Sequence, residues 1–345
     1  MNQHFLVVLS GFLLSLLVTM GASAWFTRRL EQISAAQDFS PGLLSLLGAL
    51  GANIPNYVAS TFAILSGSIA TGLGIIIGSN IFNVAIILAV AAFAAPKKLG
   101  IVLTQVEGQD VRIVGRYALI IMLAILLLVW LLPGTPLTNT LHLPLLSLLL
   151  LIATGILILS IAVLLTQHAL KHEPELSSEE YAHATIALPA SGSLSRKTLV
   201  RWLGEMVLAL AITLAGVVVM VQTGQALTEL LHMPPVLAGL LVLAVATSLP
   251  NLVVAFLLAR ANQESACVEE VFSSNSINAT LGIALPLLFW HAALSDRLLL
   301  LLDTPLMVVL TLAALLCVRW QRISRLTGLV LLLTYGVWVV IHMMV

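Results

Sequence analysis

The chain has 345 residues, of which 60% are hydrophobic and only 9% carry a charge, and its mean hydropathy is +1.10. Soluble domains average about 25% charged residues, so this composition excludes a soluble enzyme, a nucleic-acid binder and a secreted disulfide scaffold. Fifteen basic and fifteen acidic residues leave no net charge to attract a polyanion. The two cysteines, Cys267 and Cys317, lie in apolar surroundings. The composition indicates a polytopic membrane protein whose environment is the lipid bilayer.

Apolar runs separated by polar breaks predict about ten membrane-spanning helices. A spanning helix needs about 20 predominantly apolar residues. The predicted spans are approximately 5–25, 41–66, 70–95, 112–132, 143–167, 201–222, 235–259, 267–290, 296–318 and 324–343. No Lys or Arg precedes the first run, so we interpret it as a helix and not as a cleaved signal peptide. The predicted fold class is therefore an all-α polytopic membrane protein.

The basic residues predict an orientation for these spans. With the N-terminus outside, fourteen of the fifteen Lys and Arg residues fall on the cytoplasmic side and only Arg297 falls outside. This distribution is typical of the positive-inside rule. We therefore expect both termini outside and residues 168–200, the longest polar stretch, as a cytoplasmic linker. The linker separates a first five-helix repeat, 1–167, from a second, 201–345.

An internal repeat relates the two halves of the chain at a fixed offset of 195 residues. The first copy reads Gly51-Ala-Asn-Ile-Pro-Asn56 and Gly78-Ser-Asn-Ile-Phe-Asn83, and the second reads Ala246-Thr-Ser-Leu-Pro-Asn251 and Ser273-Ser-Asn-Ser-Ile-Asn278. With five spans per half, the two copies must enter the membrane from opposite sides. This is the inverted-repeat plan of secondary transporters, whose substrate site lies at the midplane where the repeats meet.

The repeated segments carry oxygen donors beside predicted helix breaks. Pro55 and Pro250 are expected to break their helices, because each removes a backbone hydrogen bond and clashes with the carbonyl four residues earlier. Such breaks are tolerated in hydrocarbon only where the freed groups find a partner or line a wet cavity. Polar side chains around the breaks share helix faces at spacings of three and four. The candidate binding residues are Asn53, Asn56, Ser79, Asn83, Thr247, Ser248, Asn251, Ser274 and Asn278.

Packing is the competing interpretation of these polar side chains, because small and amide residues also join transmembrane helices. Asn80 and Asn275 lie one position off the shared face and are expected to form such helix-packing hydrogen bonds. The nine methionines and six tryptophans are interpreted as packing or lipid-facing residues, and Trp290, His291 and His342 as anchors at the membrane interface.

These motifs resemble the two alpha-repeats of the cation/calcium exchanger superfamily, which includes the sodium/calcium exchangers. The Gly78–Asn83 segment matches the second-helix motif of the family in full, and Ala246-Thr-Ser-Leu-Pro matches most of its first-helix motif. The resemblance implies a ten-helix inverted-repeat antiporter that needs no cofactor and no structural metal. Its transported cation would be Na⁺, Ca²⁺, K⁺ or H⁺, and its location a bacterial cytoplasmic membrane.

The chain departs from the family pattern in the charge of the site. The family usually carries an acid after each proline, where this chain has Asn56 and Asn251, and the often acidic position in the later helix is Asn278. Ca²⁺ prefers several oxygens, some with formal negative charge, and a divalent charge in a low dielectric is costly without them. We therefore expect a monovalent cation or proton coupling in preference to classical Ca²⁺ binding.

Glu270 is the acid that could supply a charge to this site. It lies four residues before Ser274 and eight before Asn278, so the three side chains fall on one helical stripe. Intramembrane acids are functional candidates. The alternative is that Glu270 lies near the cytoplasmic end, solvated or paired with Arg260.

Two other functions stay open on the same fold. The cavity amides and hydroxyls could bind a small neutral or zwitterionic solute, or the chain could be a non-transporting relative that acts as a scaffold or sensor. An enzyme is disfavoured, because the spans contain no Ser/His pair and no paired acids, and the chain has no Gly-x-x-x-x-Gly-Lys-Ser/Thr nucleotide loop. The oligomeric state is not predicted.

Overall fold

The computed structural model describes residues 3–36, 49–97, 99–141, 144–171, 196–290 and 293–344. Eight helices in these ranges are long and apolar enough to span a membrane. A shorter apolar helix, Ile54–Leu65, and the apolar segment Leu148–Leu164 of the helix Pro144–Lys171 accompany them. The prediction of an all-α polytopic membrane protein with about ten spans is confirmed.

The helices follow the predicted five-plus-five order. The first repeat contains α1 (Gln3–Ala36), α2 (Ile54–Leu65), α3 (Ile69–Ala94), α4 (Gln105–Trp130) and α5 (Pro144–Lys171). The second contains α6 (Arg196–Leu230), α7 (Pro235–Leu237 continuing as Ala238–Arg260), α8 (Glu264–Phe289), α9 (Leu299–Arg319) and α10 (Arg325–Met344). A short helix, Pro136–Leu141, connects α4 towards α5. Residues 172–195 of the expected linker lie outside the described ranges.

Four helices each contain one π-helical turn, and two of these turns lie at matching places in the repeats. The turns are Asn83–Ile87 in α3, Ala238–Leu243 in α7, Thr280–Ala284 in α8 and Leu299–Asp303 in α9. The turn in α3 begins at one candidate binding residue, and the turn in α8 begins two residues after another, Asn278. Such turns are rare and frequently occur at functional sites.

The longest helices are α1 and α6, with 34 and 35 residues, and they pack along one another. Both extend beyond their predicted spans, because the polar residues that flank each apolar run continue the helix. At 1.5 Å per residue each is about 50 Å long, against a hydrocarbon core of about 30 Å. Each must therefore tilt or extend out of that core. Arg29 of α1 pairs with Glu205 of α6 at 2.5 Å and lies over the ring of Trp202.

One end of the bundle gathers several basic side chains, and we call it the basic end; it comprises residues 95–97, 99–104, 261–264 and 320–325. Here β1 (Ile101–Val102) pairs antiparallel with β2 (Arg322–Ile323) and so joins the two halves. Lys97 Nζ also lies 2.7 Å from Glu264 Oε2, again across the two halves. At the opposite end, the amide of Leu294 donates to the carbonyl of Pro133 at 2.8 Å.

A close crossing of α3 and α7 holds the repeats together near the centre. A Cβ atom added to Gly78 would lie 2.4 Å from the carbonyl oxygen of Leu240, and one added to Gly239 would lie 2.3 Å from that of Thr71. Real Cβ atoms do not approach so closely, so both positions require glycine. The crossing brings the next residue of α3, Ser79, against α7.

Candidate functional site

The first predicted helix break is present at the start of α2. Residues 49–52 are helical, Asn53 forms a turn with φ −92° and ψ 0°, and a new helix begins at Ile54 with Pro55 in its first turn. Proline is favoured there, because the first turn of a helix lacks intrahelical donors in any case. The carbonyl of Gly51, which the proline leaves without its helical donor, accepts a hydrogen bond from Ser23 Oγ of α1 at 3.2 Å.

The second predicted break is wrong, because α7 runs through Pro250 as one helix from Ala244 to Arg260. In a membrane bundle an internal proline is tolerated where side-chain hydroxyls and local π-helical turns compensate for the freed backbone groups. Both features lie about one turn before Ala246, whose carbonyl is the group that Pro250 leaves without its helical donor. Thr247 Oγ1 donates to the carbonyl of Leu243 at 2.7 Å, and the π-helical turn of α7 ends at that same residue.

The break at Asn53 places its amide at the centre of a buried hydrogen-bond network. Its Nδ2 donates to the carbonyl of Ala49 at 2.7 Å and to Ser274 Oγ of α8 at 2.8 Å. Its Oδ1 accepts from Asn251 Nδ2 of α7 at 2.8 Å and from Asn56 Nδ2 at 3.2 Å. One side chain of the first repeat therefore contacts both candidate helices of the second.

Ser79 extends this network to the fourth helix. Its Oγ donates to Asn56 Oδ1 at 3.1 Å and approaches the carbonyl of Ala244 at 3.3 Å, and it accepts from Ser248 Oγ at 2.9 Å. Thr247 lies at the edge of the network, since its hydroxyl donates to its own helix at Leu243 and approaches the same Ala244 carbonyl at 3.3 Å. The network thus joins α2, α3, α7 and α8.

Glu270 belongs to this network. Its Oε1 accepts from Ser274 Oγ at 2.7 Å, and the residue is only 8% exposed. It forms no ion pair with Arg260 or with any other described residue. The salt bridge at this level of α8 is formed instead by Glu264, which pairs with Lys97. Among the candidate binding residues Glu270 is the only one with a formal charge.

The remaining candidates form a second cluster where α3 crosses α8. Asn80 Nδ2 approaches the carbonyl of Asn275 at 3.3 Å, and Asn275 Nδ2 approaches the carbonyl of Asn80 at 3.2 Å. This reciprocal pair has the geometry expected of helix-packing residues. Asn83 Nδ2 donates to Asn275 Oδ1 at 2.9 Å, and Asn278 Nδ2 lies 3.5 Å from Asn80 Oδ1.

Sequence reasoning missed Ser23 and the two methionines beside Asn80. The Sδ atoms of Met122 and Met307 lie 3.4 Å and 3.6 Å from Asn80 Nδ2, and both residues are fully buried. Their sequence context predicts only packing or lipid-facing roles. No local pattern marks them, because their contacts depend on which helices become neighbours.

Four buried oxygen atoms of the site have no hydrogen-bond partner among the described residues: Asn83 Oδ1, Asn251 Oδ1, Asn278 Oδ1 and Glu270 Oε2. Buried polar atoms are nearly always paired in proteins. Because the amide nitrogens of these three asparagines already donate to other protein groups, the site has unused acceptors. Its electrostatic character therefore suits a cation or a hydrogen-bond donor.

Comparisons with known proteins agree with this architecture. The chain is 25% identical to a putative antiporter, CaxA, of Alkalimonas amylolytica over 332 residues, which cover 94% of each chain. It is 32% identical to the sodium/calcium exchanger MaX1 of Methanosarcina acetivorans over 138 residues, or 39% of each chain. Its fold is similar to that of the sodium-calcium exchanger NCX_Mj, with a TM-score of 0.62 and 19% identity, over 97% of this chain and 99% of the other.

The sequence model of one family covers nearly the whole chain. That family is described as sodium/calcium exchanger protein, and it matches residues 7–166 and 202–344, which include all candidate binding residues of both repeats. Its members are transporters and not enzymes. The chain therefore belongs to the sodium/calcium exchanger protein family.

Proposed function

We propose that this chain is a secondary antiporter that exchanges small monovalent cations, or one such cation against protons, at the network joining α2, α3, α7 and α8. The observation that carries this proposal is a set of four buried oxygens without a partner among the described residues, one of which belongs to Glu270, the single carboxylate among the candidate binding residues. Glu270 Oε2 and Asn251 Oδ1 lie in the network, and Asn83 Oδ1 and Asn278 Oδ1 lie in the cluster where α3 crosses α8. Membership of an exchanger family and the antiporter name of one relative support the class of transport.

The charge of the site supports a monovalent ion. Two unit charges 4 Å apart interact by about 4 kcal/mol at an effective dielectric constant of 20, so the carboxylate of Glu270 can offset one positive charge. A Ca²⁺ ion would keep one uncompensated charge in a buried site, and amide oxygens stabilise it only as dipoles. Na⁺ or K⁺ with Glu270 would leave the site neutral.

The contacts between repeats support alternating access. Asn53 bonds to Ser274 and Asn251, and Ser79 bonds to Ser248, so each of these bonds crosses from one repeat to the other. Movement of one repeat against the other would break them and expose the site on one side at a time, as in other inverted-repeat transporters. The same side chains would then serve as ligands and as part of the gate.

The proposal includes an orientation and a location. The basic end would face the cytoplasm, as the distribution of Lys and Arg favours, with both termini outside and the linker 168–200 inside. The membrane would be a bacterial cytoplasmic membrane. No cofactor is required, because an ion gradient supplies the energy.

Tracer flux in proteoliposomes tests the proposal. The full chain is reconstituted, and uptake of radioactive Na⁺, the K⁺ analogue Rb⁺ and Ca²⁺ is measured against opposing gradients of Na⁺, K⁺, H⁺ and Ca²⁺. We expect a Na⁺ or K⁺ gradient to drive monovalent counterflow, with no Ca²⁺ uptake. Rapid Ca²⁺ exchange in the wild type would overturn the proposed ion class.

Two matched variants test the role of the carboxylate. Glu270→Gln should lower monovalent flux by up to roughly a thousandfold, because the charge interaction is worth about 4 kcal/mol before any screening. Glu269→Gln makes the same change one position along, at a half-buried residue outside the network, and should keep near-normal flux. Equal flux in both variants would contradict the role of Glu270.

Flux of a neutral or zwitterionic solute without cation flux would favour the solute transporter. Absence of any flux with a stably folded protein would favour the scaffold or sensor.

A further inference from the structure

A further buried polar cluster, separate from the network and from the asparagine cluster of α3 and α8, lies between α9 and α10. His342 Nε2 lies 2.7 Å from Asp303 Oδ1, and both side chains are completely buried. Trp338 Nε1 donates to the same carboxylate oxygen at 2.7 Å. His342 was expected to anchor the chain at the membrane interface, and that expectation is wrong, because the residue is 3% exposed and faces the carboxylate.

This cluster has no counterpart in the first repeat. At the offset of 195 residues, Asp303 corresponds to Gly108 and His342 to Ser147. The cluster shares no hydrogen bond with the candidate binding residues. It therefore needs a function other than completing the duplicated site.

An aromatic stack connects the cluster to the edge of that site. The ring of His342 lies 5.2 Å from that of Trp338, which lies 5.3 Å from that of Tyr335. Tyr335 in turn packs edge-on against Phe82 at 6.0 Å. Phe82 directly precedes Asn83, where the π-helical turn of α3 begins.

The pair has two atoms that can take part in proton uptake. Asp303 Oδ2 and His342 Nδ1 are buried and without a partner among the described residues. When Nε2–H donates to the carboxylate, the lone pair of Nδ1 is free, and the pair carries a net charge of −1. One proton from water brings that net charge to zero, which is favoured because an uncompensated buried charge is costly.

Few other ionisable groups surround the pair. The helix α3, which packs against both α10 and the π-helical turn of α9, has none between Ile69 and Ala94. The helix α4, which also packs against α9, carries its ionisable side chains in the half nearer the basic end: Glu107, Asp110, Arg112, Arg116 and Tyr117. The ionisable side chains on α9, α10 and the segment before α9 are Asp296, Arg297, Cys317, Arg319, Arg325 and Tyr335. Asp296 Oδ1 already accepts from the amide of Leu299, and Cys317, Arg319 and Arg325 lie towards the basic end.

We propose that Asp303 and His342 form a proton-binding site, separate from the cation site, at the end of the bundle opposite the basic end. The ligand is the proton, shared between an imidazole and a carboxylate and oriented by the indole of Trp338. Its uptake neutralises the pair and changes the attraction that holds α10 against α9. The aromatic stack transmits that change towards Asn83, so that pH on this side of the membrane sets the rate of transport.

Nuclear magnetic resonance of the full chain with isotope-labelled histidine tests this site without measuring transport. The His342 imidazole signal is assigned by its loss in His342→Gln. If that variant does not fold, the signal is assigned by its selective change in Trp338→Phe, because the Trp338 ring lies 5.2 Å from the imidazole. The signal is followed over the pH range 4–9, and we expect it to report the binding of one proton in the wild type. In Asp303→Asn, binding of this proton should require at least a tenfold higher proton concentration, because the partner anion is gone. Trp338→Phe, which removes no ionisable group, should keep a complete titration.

Two results would overturn the site. One is a His342 ring that stays in one protonation state throughout the range in the folded wild type. The other is a titration that Asp303→Asn leaves unmoved. Transport adds an independent reading: flux in proteoliposomes should respond to pH on the side of α10's C-terminal end in the wild type and lose that response in Asp303→Asn. A response that persists in the variant would overturn the link from the proton site to transport, whereas absence of any wild-type flux bears on the proposed function alone.

Discussion

The two copies of the repeated helix pair share a sequence plan but differ in backbone and in charge. In the first copy the helix is interrupted at Asn53, and a new helix begins at Ile54 with Pro55 in its first turn. The side-chain amide of Asn53 points to the centre of the network. In the second copy the helix continues through Pro250, and the charge comes from Glu270, whose counterpart in the first copy is the buried Ile75. The duplication thus supplies neutral oxygens symmetrically, while the break and the charge are each supplied once, by opposite repeats.

The largest expected change comes from restoring acids in both copies. The double variant Asn56→Asp, Asn251→Asp adds two carboxylates to the single one of Glu270, and each adds about 4 kcal/mol of attraction for a nearby unit charge. We expect Ca²⁺ to bind at least a hundredfold more tightly than to the wild type, as measured by Ca²⁺-dependent thermal unfolding in detergent.

The control for this variant is the same change at an exposed amide, Asn139→Asp in the short helix between α4 and α5. It should leave Ca²⁺ affinity unaltered. If the double variant gained no more Ca²⁺ affinity than this control, the assignment of Asn56 and Asn251 to an ion site would be wrong.

The next largest effect is a difference in stability loss between alanine variants of Asn53 and Asn251. Asn53→Ala removes a side chain with four hydrogen bonds and leaves buried donors of Asn56 and Asn251 unpaired, each at about 1–3 kcal/mol. We expect a loss of roughly 2–4 kcal/mol in the free energy of unfolding. Asn251→Ala removes one hydrogen bond and should lose about 1 kcal/mol. Equal losses in reversible unfolding measurements would contradict the asymmetry of the network.

Replacing each of the two prolines by alanine should change the stability of the protein in opposite directions. Pro250→Ala restores a backbone hydrogen bond inside a continuous helix, and we expect it to raise stability by about 1 kcal/mol, less than the ~3 kcal/mol typical of a soluble helix interior. Pro55→Ala loses a residue suited to the first turn, and we expect a decrease of about 0.5–1 kcal/mol. Thermal unfolding of the two variants side by side measures this difference, and the same sign for both would show that their backbones are alike.

The smallest effect concerns the freed carbonyl of Gly51. Ser23→Ala removes its hydrogen-bond donor and should lower stability by about 1 kcal/mol. Ser15→Ala is the control in the same helix, because that hydroxyl donates only to the carbonyl of Phe12 three residues earlier, and it should have a smaller effect. If the control were the more destabilising of the two in the same unfolding assay, Ser23 would have no special role.

Much of the fold and of the site could be predicted from sequence because the signals are local or duplicated. Each membrane span is predicted by its own apolar run. The fixed offset between the repeats identifies four residues that the structure brings into one network: Asn53, Ser79, Ser248 and Ser274. The stripe from Glu270 to Asn278 follows from helix geometry alone.

The remaining features depend on neighbours that the sequence does not specify. Whether a proline ends a membrane helix depends on hydroxyls and π-helical turns around it, so Pro250 was misjudged. In the sequence, His342 lies near the end of a predicted span, as residues at the membrane interface do. Only the packing of α10 against α9 shows that Asp303 is its partner. Ser23, Met122 and Met307 became visible only when the helices carrying them were seen to be adjacent.

Ion-dependent unfolding of the wild type beside Glu270→Gln asks whether the site binds a monovalent cation through this carboxylate. A ligand present at a hundred times its dissociation constant stabilises the state that binds it by about 2.7 kcal/mol. We expect saturating Na⁺ or K⁺, but not Ca²⁺ at matched ionic strength, to raise the unfolding temperature of the wild type, and Glu270→Gln to abolish that rise. A wild type that melts identically with and without monovalent cations, or a variant that keeps the full rise, would contradict this expectation.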